Sequence, residues 1–397
     1  MDVFAKTSNI RNGGNMGYKI GTKCLHLEEE RMKDHYGSVS YPIYQTATFS
    51  HLGVGRSTGY DYSRLQNPTR ENLEKIVCAL EKGDDALAFT SGMAAIATLM
   101  ELFSPGDHLI IENDLYGGSV RLFDNMSKKN GITFTGADVS VDDIEPLIQE
   151  NTKAVFIETP TNPMMNVTDI AKVSEVCKAH NLMLIVDNTF LSPYYQNPIE
   201  LGADVVIHSG TKYLGGHNDT LAGFLVSGNK EISEKLRFLI KTSGAGLPPM
   251  DSWLVTRGIK TLGIRMDKSS ENAMELAKWL KGQSKVTKVC YPGLSDHPGH
   301  EIMKKQSRGF GAMVTFEMAT KEMALYILEN VKLIQFAESL GGTESLLTYP
   351  ITQTHADVPK ELLDKNGITD RVLRLSVGIE DVSDLIEEFE RVFSELN

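Results

Sequence analysis

A lysine that closes an apolar run is the residue of this sequence best suited to covalent chemistry. The run is Val205-Val206-Ile207-His208, and Lys212 follows it in the segment Ser209-Gly210-Thr211-Lys212. Partial burial lowers the pKa of an ammonium group, and the neutral amine is the form that attacks an aldehyde to give a Schiff base. A lone lysine at a strand end would usually reach solvent instead, so this interpretation depends on the groups that accompany it.

An aspartate ends a second apolar run. Asp187 follows Leu184-Ile185-Val186 and precedes Asn188-Thr189. A carboxylate at the end of a buried strand is costly unless a cation or hydrogen-bond donors face it, and the protonated ring nitrogen of a bound cofactor would satisfy it. Capping of the following turn explains Asp187 equally well when the residue is considered alone.

Two further groups follow apolar runs. Ser91-Gly92-Met93 opens a helical pattern directly after residues 86–89, and exposed amides at a helix start favour a phosphate. Taken alone, Ser91 is more simply an ordinary helix cap. Tyr116 lies in the Gly-rich turn Asn113–Ser119, where its ring could stack on a planar group. Because tyrosines are common in turns, that indication is weak by itself.

These groups lie where an α/β sheet would bring them together, beyond the carboxyl ends of its strands. The predicted strands are Ala86–Phe89, His108–Glu112, Ile132–Thr135, Ala154–Glu158, Met183–Asp187, Asp204–His208 and Gly223–Val226. Most are continuous apolar runs, which are typical of strands buried on both faces. The helical patterns between them cover Gly92–Phe103, Asp169–His180 and Glu231–Lys241. Alternating strands and helices predict an α/β fold with a mainly parallel sheet covered by helices.

The sequence predicts three parts in all. Residues 1–65 form an N-terminal extension and arm, of which the first fifteen are polar and rich in Gly and Asn. Residues 66–260 form the large domain, starting with a helix near Arg70–Glu81. A long helical stretch over Asp251–Gly282 leads into a smaller α/β domain at 261–397, with strands such as Ala312–Phe316. A long irregular segment like the first part often contacts a partner.

Composition excludes several classes of function. The chain has 40 Lys and Arg against 52 Asp and Glu, a net charge of −12, which argues against nucleic acid or an anionic membrane as the main partner. No apolar run reaches the roughly 18 residues that cross a bilayer, and the N-terminus lacks the apolar core of a signal peptide. The four cysteines form no C-x-x-C pair, which predicts reduced thiols in a cytoplasmic protein without structural metal.

Together, a phosphate-binding turn, an aspartate and a lysine, each at a strand end, indicate pyridoxal 5′-phosphate. The segment Gly53–Gly59 superficially matches a dinucleotide fingerprint, but its third glycine is one place late and no strand precedes it. A nicotinamide-dependent dehydrogenase is therefore disfavoured. No histidine spacing indicates a metal site.

The motifs resemble, in order and over about residues 21–396, those of the Cys/Met-metabolism (trans-sulfuration) family of pyridoxal-phosphate enzymes. The motifs are Tyr60-Asp61-Tyr62-Ser63-Arg64 with Asn67-Pro68-Thr69, Ser91-Gly92-Met93, Asp114-Leu115-Tyr116-Gly117-Gly118, Glu158-Thr159-Pro160-Thr161-Asn162-Pro163, Asp187-Asn188-Thr189, Ser209-Gly210-Thr211-Lys212-Tyr213, Glu338-Ser339-Leu340-Gly341-Gly342 and Leu373-Arg374-Leu375-Ser376-Val377-Gly378. The resemblance implies the aspartate aminotransferase-like fold, fold type I. Gly210 departs from the alanine of many members, which should loosen that turn slightly.

The resemblance also implies residue roles. Lys212 would hold the cofactor as a Schiff base and then move protons, and Asp187 would pair with the ring nitrogen. Tyr116 would stack on the ring and Arg374 would bind the substrate carboxylate, a task suited to its planar fork. Further cofactor contacts would come from Gly92, Met93, Thr189, Ser209 and Thr211, and from Tyr62 and Arg64 of a neighbouring subunit; Asn162 and Ser339 would assist Arg374. Shared sites of this kind imply a homotetramer built from two dimers.

Within the family, the sequence favours γ-replacement on an O-acylhomoserine with cysteine or another thiol, as in cystathionine γ-synthase. The segment Thr348-Tyr349-Pro350 with Gln353–Asp357 resembles the corresponding segment of such enzymes. Asp61, where some γ-lyases have Glu, weakly favours the same activity. Gly118, where methionine γ-lyases typically carry Cys, disfavours that activity. Cystathionine γ-lyase or β-lyase activity is the alternative. A non-catalytic protein of this fold is disfavoured because Lys212 and the groups around it are all present.

Overall fold

The computed structural model describes residues 18–26 and 36–396. The polar extension predicted over residues 1–15 lies outside the described residues. The predicted division at residues 65 and 260 stays a prediction, although two separate sheets lie on either side of the second boundary.

Within the described residues, twelve strands form two sheets. The strands are β1 (Asp85–Phe89), β2 (His108–Glu112), β3 (Thr133–Ala137), β4 (Thr152–Glu158), β5 (Met183–Asp187), β6 (Val205–Ser209), β7 (Gly223–Ser227), β8 (Val286–Cys290), β9 (Met313–Met318), β10 (Gln335–Phe336), β11 (Leu346–Thr348) and β12 (Val372–Ser376). The large sheet has the order β1-β7-β6-β5-β4-β2-β3, and the small sheet has the order β10-β11-β12-β9-β8. All seven strands predicted before residue 230 are present, with ends within two residues of the prediction.

Thirteen α-helices accompany these strands in the described part of the chain. They are α1 (Ile20–Lys23), α2 (Pro68–Glu81), α3 (Gly92–Met100), α4 (Gly117–Asn130), α5 (Ile170–Ala179), α6 (Ser192–Tyr195), α7 (Lys230–Ser243), α8 (Pro249–Ile259), α9 (Leu262–Lys281), α10 (His300–Gln306), α11 (Lys321–Asn330), α12 (Lys360–Lys365) and α13 (Val382–Glu395).

The large sheet is mainly parallel, as predicted. β7 alone runs antiparallel to its neighbours, β1 and β6, while β2 to β6 pair in parallel. The six other strands therefore end at one common edge, which gathers the residues that follow them.

Both faces of this sheet are buried, which explains the continuous apolar runs of its strands. On one face, Leu87, Phe156 and Ile207 belong to a core with residues of α3 and α7. On the other face, Val186 and Val206 belong to a core that reaches α2, α5 and α9 and continues into the small sheet. No helix of the described segments is long and apolar enough to cross a membrane.

The long helical stretch predicted over residues 251–282 is divided in two. α8 ends at Ile259 and α9 begins at Leu262, because Thr261 leaves helical geometry, with φ −108° and ψ 7°. Its amide and its hydroxyl both donate to the carbonyl of Gly258, at 3.1 Å each. α8 then packs on α2, whereas α9 packs on α13 and β8. Apolar periodicity continues through the break, so the sequence pattern could not reveal it.

Candidate active site

The candidate phosphate-binding turn lies where three backbone segments meet at the sheet edge. Ser91 caps α3 by accepting a hydrogen bond from the Ala94 amide at 3.1 Å, so the interpretation of Ser91 as a helix cap is correct. The first amides of a helix have no acceptor within it, so those of Gly92 and Met93 are available to an anion. A Cβ at Gly92 would lie 3.2 Å from the Cβ of Ser209, which places the end of β6 directly against this helix start.

Gly223 makes this close meeting possible. It is the first residue of β7 and lies across the ladder from both Phe89 and Ser209. A Cβ at this position would lie 2.1 Å from the Ser91 carbonyl oxygen and 2.6 Å from the Gly92 amide nitrogen. Contacts this short are not tolerated, so only glycine permits the turn to sit on the sheet edge.

Asp187 is joined to the same turn through Thr189. The amide and hydroxyl of Thr189 donate to Asp187 Oδ1 at 3.0 and 2.6 Å, and the Thr189 hydroxyl accepts from the Ser209 amide at 2.8 Å. Burial raises the pKa of Asp187, while the two Thr189 bonds oppose that rise. Among the described residues Asp187 has no ion pair, so its second oxygen can still receive a cationic donor.

Lys212 is held by Ser339. Its Nζ donates to the Ser339 hydroxyl at 2.8 Å, across from the large sheet to the loop after β10. Burial, aided by the charge of Arg374, lowers the pKa of Lys212 to about 8 against the opposing effect of Glu338. Ser339 itself has φ +94°, which is unfavourable for a residue with a side chain and indicates a functional constraint. The amine is thus positioned, and a larger fraction of it is neutral at physiological pH than for an ordinary lysine.

Arg374 is a buried cation without a counter-ion. It lies in β12, is 1% exposed, and forms no ion pair within the described residues. Its NH1 donates to Asn162 Oδ1 at 2.9 Å, and its NH2 donates to the Ser339 carbonyl at 2.9 Å and the Thr348 hydroxyl at 3.1 Å. Its Nε has no partner, and burial lowers the pKa of Arg374 to about 10. A buried, incompletely paired guanidinium favours an anionic ligand such as a carboxylate.

Tyr116 is positioned by a carboxylate behind it. Its amide donates to Glu158 Oε2 at 3.0 Å, and Glu158 ends β4 directly beside Asp187 of β5. Burial, with the charge of Asp187, raises the pKa of Glu158 well above its usual range. The ring of Tyr116 lies over Gly118, whose added Cβ would be 2.5 Å from the Cε1 of Tyr116. The ring is 38% exposed, so its free face remains accessible.

Comparisons with known proteins decide the family. The sequence profile described as "Cys/Met metabolism PLP-dependent enzyme" matches residues 21–394. The chain belongs to this family. It is a pyridoxal-phosphate enzyme of the trans-sulfuration type, as the sequence motifs predicted.

The similar proteins carry out different reactions. A Lactococcus lactis subsp. cremoris cystathionine beta-lyase is 48% identical over 370 residues, covering 93% of this chain and 97% of that protein. A Bacillus subtilis cystathionine gamma-synthase/O-acetylhomoserine (thiol)-lyase is 48% identical over 382 residues, covering 96% and 98%. The crystal structure of cystathionine gamma-lyase from Lactobacillus plantarum, complexed with L-serine, superposes with a TM-score of 0.91 at 43% identity, covering 95% of this chain and 99% of that one. Equal similarity to lyases and a synthase leaves the particular reaction open.

The residues present fit the cofactor of this trans-sulfuration family. The cradle of Gly92, Ser209 and Gly223 leaves room and amides for a phosphate, and the free Asp187 oxygen suits a protonated ring nitrogen. Lys212 would supply the amine. The Thr211 hydroxyl exchanges hydrogen bonds with the Ala222 backbone, at 3.2 and 3.1 Å, so it is partly engaged already.

Tyr62 and Arg64 contact each other in their own chain, and Arg64 also contacts the end of α7. Arg64 donates to the Lys241 carbonyl near the end of α7, and its guanidinium lies 5.7 Å from the centre of the Tyr62 ring. Both side chains are exposed. Within the described residues neither side chain forms a hydrogen bond or ion pair with Lys212, and their contact with the cofactor stays a prediction that requires a second subunit.

Sequence reasoning assigned no role to Glu158, Thr348 or Gly223. Glu158 carried the same signal as Asp187, a carboxylate that ends an apolar run, and could have been found in that way. Thr348 is visible only through its cross-strand pairing with Arg374. A Cβ at Gly210 would lie 2.4 Å from the Phe224 ring, so tight packing accounts for the glycine, and the predicted loosening of this turn stays a prediction.

Proposed function

We propose that this enzyme forms cystathionine by γ-replacement, joining the sulfur of cysteine to Cγ of an O-acylhomoserine whose acyl group is uncharged. The observation that supports this most directly is a cavity of about 670 Å³ that extends from Thr211 and Ser339. Three carboxylates line it, those of Asp219, Asp251 and Glu338, and the side chains that line it in the described chain include no lysine or arginine. Such a surface favours the ammonium group of cysteine and disfavours a succinyl carboxylate.

Each end of the substrate has a group suited to it. Arg374, supported by Asn162 and Ser339, would bind the α-carboxylate in the buried pocket. Lys212, with its pKa lowered to about 8, would remove the proton from Cα and then one from Cβ. Pyridoxal phosphate, when bound, supplies the electron sink that makes these protons acidic. The Cγ–O bond to the acyl group then breaks and the acyl carboxylate departs. The cysteine thiol loses its proton as its sulfur bonds to Cγ, and Cβ and Cα each regain a proton, which Lys212 would deliver.

Cleavage of cystathionine is the second candidate. The acidic cavity would receive the distal ammonium of cystathionine equally well, whether that molecule is substrate or product. The relatives named as lyases support this alternative, whereas Asp61 and the segment Gln353–Asp357 favour synthesis.

The proposed assembly completes the cofactor site. We propose that Tyr62 and Arg64 of one subunit reach the phosphate of its neighbour, in a homotetramer of two such dimers in the cytoplasm. The exposure of both side chains in the single chain supports this arrangement.

Product analysis of the purified holoenzyme tests the proposal. O-acetyl- and O-succinylhomoserine are each supplied with and without cysteine, and cystathionine is supplied alone. We expect cystathionine from the acetyl ester with cysteine, and markedly less from the succinyl ester. Faster release of 2-oxobutyrate or pyruvate from cystathionine would instead establish a γ-lyase or a β-lyase.

A further inference from the structure

One segment, residues 348–357, touches Arg374 and Asn162, two of the groups proposed to bind the amino acid. Its first residue, Thr348, accepts a hydrogen bond from Arg374 NH2. Further along, the Thr354 carbonyl lies so close to the first turn of α4 that a Cβ at Gly117 would be 2.1 Å from its oxygen. The segment also contacts Asn162 through His355. It therefore links the Arg374 pocket with the turn that carries Tyr116.

His355 is the buried centre of this segment. It is 1% exposed, and its Nε2 lies 3.0 Å from the carbonyl oxygen of Asn162. Since a carbonyl only accepts, Nε2 must carry the proton. Nδ1 lies 2.8 Å from the Thr354 hydroxyl, which can donate to it. Burial lowers the pKa of His355 to about 4, so this neutral tautomer persists at physiological pH.

The bond to Asn162 matters because of what its side chain does. The Asn162 Oδ1 accepts from Arg374 NH1 at 2.9 Å, while its own carbonyl is held by His355. His355 and Arg374 thus hold the same residue from its main chain and its side chain. Other buried contacts of the segment, such as the His355 amide donating to the Pro350 carbonyl at 2.9 Å, keep the ring in place.

We propose that His355 is a positioning residue: by donating to the Asn162 carbonyl it fixes Asn162 against Arg374 and so sets the affinity for the amino-acid carboxylate. This inference rests on the proposed role of Arg374. His355 touches neither Lys212 nor the phosphate cradle, although it also faces the Leu115 carbonyl beside Tyr116, so its substitution should weaken carboxylate binding far more than cofactor binding. A residue that merely stabilised the fold would weaken both.

The test compares two substitutions of similar size in the holoenzyme. His355→Gln can place an amide donor near the position of Nε2, whereas His355→Met fills the space without a donor. The probe ligands are glycine and glycinamide, which differ in the carboxylate alone, and their affinities are read from the visible absorbance of the bound cofactor. Cofactor affinity is measured separately by fluorescence titration of the apoenzyme.

For His355→Met we expect about tenfold weaker glycine binding, because preorganisation of the carboxylate pocket is lost. Glycinamide and cofactor affinities should change by less than about twofold, and His355→Gln should restore most of the glycine affinity. Equal losses for glycine and glycinamide, or unchanged glycine affinity, would overturn the inference. If His355→Met does not fold, His355→Asn, whose amide is too short to reach the carbonyl, takes its place with the same expectations.

Arg374→Gln separates this inference from the proposed function. This substitution should weaken the binding of glycine strongly and the binding of glycinamide little. If it leaves glycine affinity unchanged, the role proposed for Arg374 is wrong. If Arg374→Gln weakens glycine binding while His355→Met and His355→Asn do not, then only the role proposed for His355 is wrong.

Discussion

At the scale of single residues, the candidate active site contains two buried basic groups, Lys212 and Arg374. Arg374 lies close enough to Lys212 that its charge disfavours the charged form of that amine, and burial costs both groups hydration. Because the pKa of a guanidinium starts far higher, Arg374 remains charged when its pKa falls to about 10, whereas Lys212 reaches about 8 and becomes partly neutral. One site therefore holds a fixed cation for a carboxylate and an amine able to react.

The lowered pKa of Lys212 predicts the pH dependence of cofactor capture. Below pH 8 the amine is protonated and cannot attack the cofactor aldehyde, so the capture rate should rise with pH through about 8 and then level off. An unperturbed lysine would keep rising to about 10.4. The measurement is the rate of visible absorbance change when apoenzyme meets pyridoxal phosphate over a pH series.

Glu338→Gln is the matched control for this pH series. The charge of Glu338 raises the pKa of Lys212, so its removal should move the inflection to lower pH. An inflection that stays near 10 in the unmodified protein would contradict the prediction.

Strand β7 shapes the cofactor cradle at the level of secondary structure. It runs against its neighbours, so its first residue, Gly223, reaches the edge where β1 and β6 end. Gly223 lets the start of α3 rest on that edge, which aims the helix amides at one point. β7 contributes to the site because its first residue, Gly223, has no side chain.

Gly223→Ala should therefore weaken cofactor affinity by about ten- to a hundredfold, because overpacking of one to three kcal/mol would displace the Ser91-Gly92 turn. Gly228→Ala, just beyond the other end of β7, is the control, since its Cβ would lie 3.2 Å from the Ile199 side chain and not against the Ser91-Gly92 turn. Fluorescence titration of both apoenzymes with pyridoxal phosphate gives the comparison. Equal affinities would show that the turn adapts without cost.

The segment of residues 36–66 bears on the molecule as a whole. It leaves large apolar side chains exposed, among them Tyr36, Val39, Leu52 and Val54, in addition to Tyr62. An exposed apolar surface of this kind is typical of an interface. A partner subunit would cover it and receive Arg64 at the same time.

Mixing two inactive variants tests whether subunits share sites. We expect that Arg64→Ala and Lys212→Ala are each strongly impaired, the second completely. After unfolding and refolding together, mixed dimers should contain one intact site, which restores about a quarter of full activity when pairing is random. The control is each variant refolded alone. No recovery in mixtures shown to contain hybrids would mean that Arg64 serves its own chain.

Much of the fold could be predicted because local patterns report it directly. Mostly apolar runs of four or five residues between helical patterns predicted the strands of the large sheet, and hence that Asp187 and Lys212 lie at one edge. The break at Thr261 escaped prediction, because apolar periodicity shows that a segment is helical but not where packing partners change.

The sequence alone determined the family to which the chain belongs and predicted Lys212 as its reactive amine, since both follow from residue types in a fixed order. Only the tertiary structure decided what surrounds that amine. The Ser339 hydroxyl, the lone Arg374 guanidinium, the acidic cavity and the hold of His355 on Asn162 join residues up to 212 positions apart. Contacts between distant residues depend on how sheets and loops pack, and the order of residue types along the chain does not show that packing.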